Sequence, residues 1–211
     1  MRVQKVGSND DKAQLPVAFC AWHYFNYFRG PTTEELAVVA QYANVMPVFG
    51  FAEMGLEYQA SASESVQQIA HQMVDTGLDF LLANNPHWVQ NAESYKGKLI
   101  VYSMGNFIFD QLDTETQRSA SIDTTLKIKY DDNVAKWLVL GPTCAVFQDN
   151  CLQAAVQQGL HKVSLSLNYK IVAGQGGANK VTHKADAVTQ GNIETRLNWA
   201  QVSTELEAKQ Q

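Results

Sequence analysis

The chain has 211 residues, 45% of them hydrophobic and 18% charged, with a formal net charge of −5. This composition is typical of a globular protein with one domain and a small appendage. The acidic balance argues against the basic surface of nucleic-acid-binding proteins, so no nucleic-acid partner is expected. The longest apolar runs fall far short of the roughly 20 residues that cross a membrane, and the N-terminal stretch lacks the apolar core of a signal peptide.

The first half of the chain alternates between predicted strands and helices. The strands are short continuous apolar runs, and the helices follow N-capping residues and carry apolar side chains at helical spacing. The predicted strands cover 15–22, 46–51, 78–83 and 99–104. One predicted helix is capped by Thr32 or Thr33 and follows the first strand, and another is capped by Ser63 or Ser65, ends at Gly77 and follows the second strand. Between the last two strands we predict a helical turn within 89–94 and a turn over 96–98. This order predicts an α/β layered architecture around a parallel sheet.

The second half is predicted to be richer in strands. Residues 121–130 and 163–172 alternate between apolar and polar side chains, which is typical of strands. Turn-forming residues at 131–133 predict a hairpin whose partner strand covers 134–140 and is broken by Gly141-Pro142, and the chain ends in a predicted helix over 192–209. The predicted organisation is a lead-in over 1–14, a domain over 15–142, and a β-rich extension with a terminal helix over 143–211.

The three cysteines have different surroundings in the sequence. Cys20 lies within the first apolar run and is interpreted as a small buried hydrophobic residue. Cys144 and Cys151 are separated by six residues, a spacing that allows a disulfide in an oxidising compartment. The same spacing also fits two unrelated thiols, so both interpretations stay open.

Polar side chains with the chemistry to bind metals or substrates follow the predicted strands. They are Glu53, Glu57, Asn85, His87 and Asn106. In open α/β sheets, ligands bind beyond the carboxyl ends of the strands. We therefore predict that these five residues share one site.

Three stretches of the chain resemble one protein family. They are AEMGLEY at 52–58, QQIAHQMVDTGLDFLLANNPHWVQ at 67–90 and ESYKGKLIVYSMGNFIFDQ at 93–111. They resemble the C-terminal half of the CapA family of poly-γ-glutamate capsule biosynthesis proteins, which belongs to the calcineurin-like metallophosphoesterase superfamily. The resemblance covers about residues 15–130. It implies the C-terminal half of a calcineurin-like α/β sandwich, followed here by the β-rich extension and the terminal helix.

The resemblance also implies a metal site, and this chain departs from it. The family has histidines at the positions of Glu53 and Asn85, and of that set only His87 is kept. Further family ligands, an early Asp and an NNH-type cluster, have no counterpart before Leu15. Glu53, Asn85 and His87 can hold one labile divalent ion (Mn, Fe, Zn or Mg) at low occupancy, but not two ions about 3.5–4 Å apart.

By the same resemblance, His87, Glu57 and Asn106 are the candidate catalytic residues, and no other cofactor is expected. The implied function is synthesis of capsule, poly-γ-glutamate or another cell-surface polymer, with an anionic polymer or phosphoester as substrate. Hydrolase activity is left open, and a non-catalytic binding or assembly module is the alternative. The family resemblance implies an extracytoplasmic or cell-surface location.

An aromatic cluster at residues 22–28 has two interpretations. It consists of Trp22, Tyr24, Phe25, Tyr27 and Phe28. It either packs in the core of the domain, or it forms an exposed patch that a second copy of the chain or another partner covers.

Overall fold

The computed structural model describes residues 2–7, 14–23, 29–177 and 179–209. The strands are β1 (Arg2–Gly7), β2 (Gln14–His23), β3 (Val48–Glu53), β4 (Phe80–Asn84), β5 (Ala92–Tyr95), β6 (Lys98–Val101), β7 (Arg118–Ile128), β8 (Leu165–Gln175) and β9 (His183–Lys184). The helices are α1 (Thr33–Ala43), α2 (Glu64–Asp75), α3 (Asp132–Val146), α4 (Gln148–Gln157), α5 (Ala187–Arg196) and α6 (Trp199–Ala208).

Six strands form a mixed sheet in the order β1-β2-β3-β4-β6-β5. Its centre, β2, β3, β4 and β6, is parallel, and β1 and β5 pair antiparallel at the two edges. Parallel strands send their carboxyl ends to the same edge of a sheet, so the loops after β2, β3, β4 and β6 lie side by side. The α/β architecture predicted from the sequence is confirmed.

A second, antiparallel sheet has the order β7-β8-β9. Strands β7 and β8 pair along their whole length, from Arg118 opposite Gln175 to Ile128 opposite Leu165. The alternation of apolar and polar residues predicted both strands, although the antiparallel partner of β7 is β8 rather than the segment directly after it.

Two hydrophobic cores hold these layers together. One core lies between the first sheet and α1 to α4 and includes Met73 and Trp137, both almost fully buried. The other lies between the two sheets and extends under α5 and α6, with Leu99 and Leu197 fully buried. The molecule is therefore layered, with helices on one face of the first sheet and the second sheet with α5 and α6 on the other.

The first two helices begin where capping residues predict. Thr32 caps α1 in a reciprocal capping box with Glu35, and Ser63 caps α2 by accepting from the Val66 N–H. Gly77 follows α2 at φ +122°, and a Cβ there would lie 2.5 Å from the Ala43 Cβ. This position therefore requires glycine, both for its backbone conformation and for the close approach of α1.

Two local predictions in the middle of the chain are wrong. Residues 89–94 do not form a helical turn, because 92–95 pair with β6 across the turn at Lys96-Gly97, both of which have positive φ. Residues 131–140 do not form a turn and a strand. Asp131 instead accepts from the Val134 N–H at 2.8 Å and caps α3, which continues through Gly141-Pro142.

The C-terminal helix is divided in two. The predicted helix over 192–209 is observed as α5 and α6, separated at Asn198, whose φ is +53°. The break lets both helices place apolar residues, Ile193 and Val202, in the core between the sheets.

The predicted domain boundary at residue 142 falls inside α3, and β1 lies within the stretch predicted as a lead-in. The division into 1–14, 15–142 and 143–211 stays a prediction.

A disulfide joins Cys144 in α3 to Cys151 in α4, and both residues are almost fully buried. This resolves the alternatives left by the sequence in favour of the covalent link. Cys20 is free and buried, as predicted, and burial raises the pKa of its thiol to about 11.

The disulfide predicts a specific thiol count. In the native, unreduced protein a thiol reagent should react with almost no groups, because Cys20 is buried and its thiolate is disfavoured. Denaturation without reductant should expose one thiol, and denaturation with reductant should expose all three cysteines. Titration with Ellman's reagent before and after each treatment measures this. Three thiols in the denatured, unreduced chain would contradict the disulfide.

Candidate site at the carboxyl edge of the sheet

Backbone hydrogen bonds hold together the loops after three parallel strands. The Met54 N–H donates to the Asn84 carbonyl at 2.8 Å, and the Tyr58 N–H donates to the Pro86 carbonyl at 2.9 Å. The Met104 N–H donates to the Ala83 carbonyl at 3.1 Å. The loops that carry Glu57, His87 and Asn106 are thereby brought to one place, a group we call the His87 site.

The imidazole of His87 has a defined orientation. Its Nδ1 lies 2.8 Å from Asn106 Oδ1, while Asn106 Nδ2 donates to the Thr116 carbonyl at 3.1 Å. Because the amide nitrogen of Asn106 faces a carbonyl, its oxygen faces His87, and His87 Nδ1 is therefore the donor. This leaves Nε2 of the neutral ring as an acceptor or metal ligand. Nε2 lies 3.8 Å from Glu57 Oε1.

Aromatic side chains enclose the His87 ring. Tyr58 stacks on it with the ring centroids 5.4 Å apart, and Phe109 contacts it at 4.8 Å between centroids. The Tyr58 hydroxyl accepts from Gln111 Nε2 at 2.6 Å, which ties the loop after β3 to the segment that follows Asn106. The His87 side chain is 19% exposed, whereas that of Glu57 is 42% exposed.

The backbone around the His87 site adopts unusual conformations. Tyr58, Asn85 and His87 have φ values of +56°, +109° and +64°, in the region that favours glycine. Three such non-glycine residues in neighbouring loops indicate strain that the surrounding contacts sustain, and this kind of strain clusters at functional sites.

Two of the three predicted metal ligands have polar contacts of their own at this edge of the sheet. Glu53 Oε2 lies 2.8 Å from Nε2 of His23, the last residue of β2. Asn85 Nδ2 donates to the Gly55 carbonyl at 2.7 Å. Within the described ranges, no three His, Cys, Asp or Glu side chains are grouped so that they can hold a metal.

This donor set does not fit a two-metal centre. Such a centre needs two ions about 3.5–4 Å apart with ligands that bridge them. His87 Nε2 and the Glu57 carboxylate provide one nitrogen and one carboxyl group, and their 3.8 Å separation leaves both free to contact the same small ligand. What the arrangement offers is a hydrogen-bond acceptor, a negative charge and an aromatic wall.

The structure adds residues that the sequence did not single out. Asn84 Oδ1 accepts from the Ser103 hydroxyl at 3.3 Å, and that hydroxyl accepts from the Gly105 N–H at 3.2 Å. Tyr58 and Gln111 position the His87 ring as described above. Asn84 had a usable signal, because it ends β4 just as Glu53 ends β3. The Tyr58–Gln111 contact joins residues 53 positions apart, and no local pattern indicates it.

The fold and this site define an α/β protein with a polar site at the carboxyl edge of a parallel sheet. Residues 34–111, which include all five predicted site residues, match the family described as bacterial capsule synthesis protein PGA_cap. The resemblance to the CapA family is therefore confirmed over this segment.

The curated relatives agree with this assignment. Over 73 residues the chain is 40% identical to the PGA biosynthesis protein CapA of Bacillus subtilis (strain 168) and to the capsule biosynthesis protein CapA of Bacillus anthracis. It is also 40% identical over 48 residues to the uncharacterized protein y4sH of Sinorhizobium fredii (strain NBRC 101917 / NGR234), covering 23% of this chain and 10% of that protein. The two CapA matches cover 35% of this chain but only 19% and 18% of the relatives' own lengths.

Proposed function

We propose that this chain acts in the synthesis of capsule, poly-γ-glutamate or a related cell-surface polymer. The observation that carries the proposal is the PGA_cap match, which spans the whole His87 site from Glu53 to Gln111. Relatives that share this segment are named as PGA and capsule biosynthesis proteins. An anionic polymer or phosphoester is the proposed ligand.

Within that role, we propose that the His87 site is a reduced form of a calcineurin-like metallophosphoesterase centre. The parallel sheet and the position of the site at its carboxyl edge support the relation. The pairing of Glu53 with His23 supports the proposal that the centre is reduced. We propose one labile divalent ion at most, so that His87 and Glu57 serve mainly to bind and orient a ligand.

A non-catalytic binding or assembly module is the second candidate function. It is favoured by an exposed apolar segment directly after Asn106, in which Phe107 is 60% exposed and Ile108 is 62% exposed. Exposed apolar residues in sequence are typical of a surface that contacts another molecule. The partner proposed for the aromatic cluster is a separate matter: Trp22 packs partly against the core, and residues 24–28 lie outside the described residues.

We propose an extracytoplasmic or cell-surface location, as the relatives' names suggest. The disulfide supports this, because such bonds persist in oxidising compartments. None of the helices in the described ranges has the length and apolar character needed to span a membrane.

Metal content and phosphodiester turnover test the reduced site. We expect purified chain to carry less than one equivalent of metal by inductively coupled plasma mass spectrometry, and to show no turnover of bis(p-nitrophenyl) phosphate with added Mn²⁺ or Zn²⁺. His87→Ala should lower the remaining metal content and leave turnover absent, whereas His183→Ala, which alters an exposed histidine in β9, should change neither result. Two tightly bound metals per chain, with turnover lost only in His87→Ala, would overturn the proposal of a reduced site.

A further inference from the structure

A mainly apolar pocket of about 410 Å³ opens at the carboxyl ends of β2, β3 and β4. Its lining includes the last residue of each of these strands but none of Glu57, His87 and Asn106, so it is distinct from the His87 site. Cavities of about 300–1,000 Å³ that combine an apolar lining with a few polar groups are typical of small-ligand sites. We call this cavity the strand-end pocket.

The register of the three strands arranges the lining of the strand-end pocket in two rows. The floor is a row of apolar residues that lie opposite one another: Ala21, Phe51 and Leu82. The rim is a row of polar residues two positions further along each strand: His23, Glu53 and Asn84. Side chains alternate between the two faces of a sheet, so both rows lie on one face. Phe51 and Leu82 identify it as the face that carries the core between the two sheets.

The floor can accept an apolar group from a ligand. Ala21 is exposed, and Phe51 and Met104 are only partly buried against the core between the sheets. An apolar side chain placed on this floor removes apolar surface from water on both partners, which favours binding.

The rim favours a cation over an anion. Glu53 Oε2 lies 2.8 Å from His23 Nε2, whereas Glu53 Oε1 makes no hydrogen bond or ion pair within the described ranges. The described lining contains no lysine or arginine, so Glu53 is its one acidic group and no strong base opposes it. A cationic group on the ligand can therefore contact the open oxygen of the carboxylate.

The rim also offers a hydrogen-bond donor next to this carboxylate. The Ser103 hydroxyl donates to Asn84 Oδ1 at 3.3 Å, which assigns the other amide atom of Asn84 as the nitrogen. Asn84 Nδ2 has no hydrogen-bond partner among the described residues and is left to donate. Asn84 is in register with Glu53 on the adjacent strand, so the two rim groups are neighbours at a strand spacing of about 4.8 Å.

We propose that the strand-end pocket binds the amino-terminal residue of a peptide whose first side chain is apolar. The α-ammonium group contacts the Glu53 carboxylate, and the carbonyl oxygen of the same residue accepts from Asn84 Nδ2. These two groups of one residue are about 3 Å apart, so neighbouring rim side chains can reach both at once. The first side chain of the peptide lies on the apolar floor. Capture of a terminal amine is a recurring mode of peptide recognition.

This ligand is opposite in charge to the anionic ligand proposed for the His87 site, so the strand-end pocket goes beyond the proposed function. The pocket can bind a peptide terminus whether or not the His87 site binds metal or a phosphoester. Metal content and phosphodiester turnover report on the His87 site, and peptide binding reports on the strand-end pocket. Failure of one proposal is therefore distinguishable from failure of the other.

The test is isothermal titration calorimetry with the peptide phenylalanyl-glycyl-glycinamide at pH 8. We expect saturable binding with a Kd of about 1 mM or below. Acetylation of the terminal amine should raise Kd about tenfold or more, because it removes the charge that contacts Glu53. Glutamyl-glycyl-glycinamide should also bind about tenfold more weakly, because its first side chain brings a carboxylate onto an apolar floor next to Glu53.

Two variants locate the binding site. Glu53→Gln should raise Kd about tenfold, whereas Glu205→Gln, which makes the same change at an exposed position of α6, should leave Kd within about twofold. Ala21→Phe should raise Kd about tenfold or more, because it fills the floor without changing the charge of the rim. Circular dichroism and urea unfolding establish that all three variants are folded.

Four results would overturn the proposal. One is an absence of binding to the folded wild-type chain at peptide concentrations up to about 10 mM. Another is equal affinity for the acetylated and the free peptide, which would mean that the ammonium group is not recognised. The third is an equal rise in Kd for Glu53→Gln and Glu205→Gln, which would indicate general charge attraction. The last is unchanged binding to folded Ala21→Phe, which would place the peptide outside the strand-end pocket.

Discussion

Gly105→Ala should destabilise the protein by about 3–5 kcal/mol, because it combines backbone strain with a steric clash that cannot be relieved by a side-chain rotation. Gly105 has φ +71°, and a Cβ there would lie 2.4 Å from the Arg118 carbonyl oxygen and 3.0 Å from Val89 Cγ2. The first of these is a backbone atom at the start of β7. The Ala120 N–H also donates to the Met104 carbonyl at 2.8 Å, so the two segments cannot separate without breaking this link.

The chain supplies a matched control for the strain alone. Gly159 has φ +65°, and a Cβ there would have no atom within 4 Å. Gly159→Ala should therefore cost only the backbone term, about 1 kcal/mol. Urea unfolding followed by tryptophan fluorescence measures both variants. If Gly105→Ala lost no more stability than Gly159→Ala, the close approach of β7 to this loop would be wrong.

Gly105→Ala should also change the geometry of the His87 site. Asn106 follows Gly105 directly and accepts from His87 Nδ1, so a shift of this turn moves the group that orients the imidazole. The glycine therefore links the packing of the two sheets to the geometry of the site.

Much of the layered fold could be predicted from local patterns. The parallel strands are short apolar runs because both faces of the sheet are buried, and this leaves a clear signal at Phe80–Asn84 and its neighbours. Thr32 and Ser63 predict helix starts, because their side-chain oxygens accept hydrogen bonds from the first backbone N–H groups of a helix. These patterns predict structure well because each depends only on residues that are close together in the chain.

The helix α3 could not be predicted in the same way. Asp131 has a side chain that suits both a turn and a helix N-cap, and the apolar run after it fits a strand or a buried helix. Pro142 indicated a break, yet the structure keeps the helix intact to Val146. Its place is decided by tertiary contacts, since Trp137 is buried in the core and its Nε1–H donates to the His161 carbonyl at 2.9 Å.

The candidate site was predictable in position but not in its internal pairing. The rule for strand ends predicts where Glu53, Asn85 and His87 lie, since it depends only on the direction of the strands. Whether a carboxylate faces a metal or a histidine depends on side-chain contacts between distant segments. Glu53 faces His23, which lies 30 positions earlier in the chain, on the neighbouring strand.

Asp79→Asn should destabilise the protein by about 2–4 kcal/mol, because it removes a buried charge that two cations share. Asp79 is 1% exposed, and its carboxylate accepts from the Val48 N–H at 2.9 Å as well as from Lys98 and Lys162. The asparagine has one acceptor oxygen for these three donors, and its amide hydrogens face an ammonium group. The expected loss of stability is smaller than the largest losses known for broken buried ion pairs, because Lys98 and Lys162 both retain some exposure to solvent.

Asp75→Asn is the matched control, since it makes the same chemical change in an exposed ion pair with Lys96. It should shift the urea midpoint far less than Asp79→Asn, because exposed pairs contribute little. Equal shifts of the urea midpoint in the two variants would show that the burial of Asp79 does not determine its contribution to stability.

The pH dependence of the Asp79→Asn defect follows from Lys162. Burial lowers the pKa of Lys162, and Asp79 opposes that effect. Without Asp79, the pKa of Lys162 in the folded state should fall further below its value in the unfolded state. The loss of stability is therefore complete at neutral pH, where Lys162 is charged in both states. It shrinks as the pH rises toward about 10. Unfolding curves at neutral and alkaline pH check this sign.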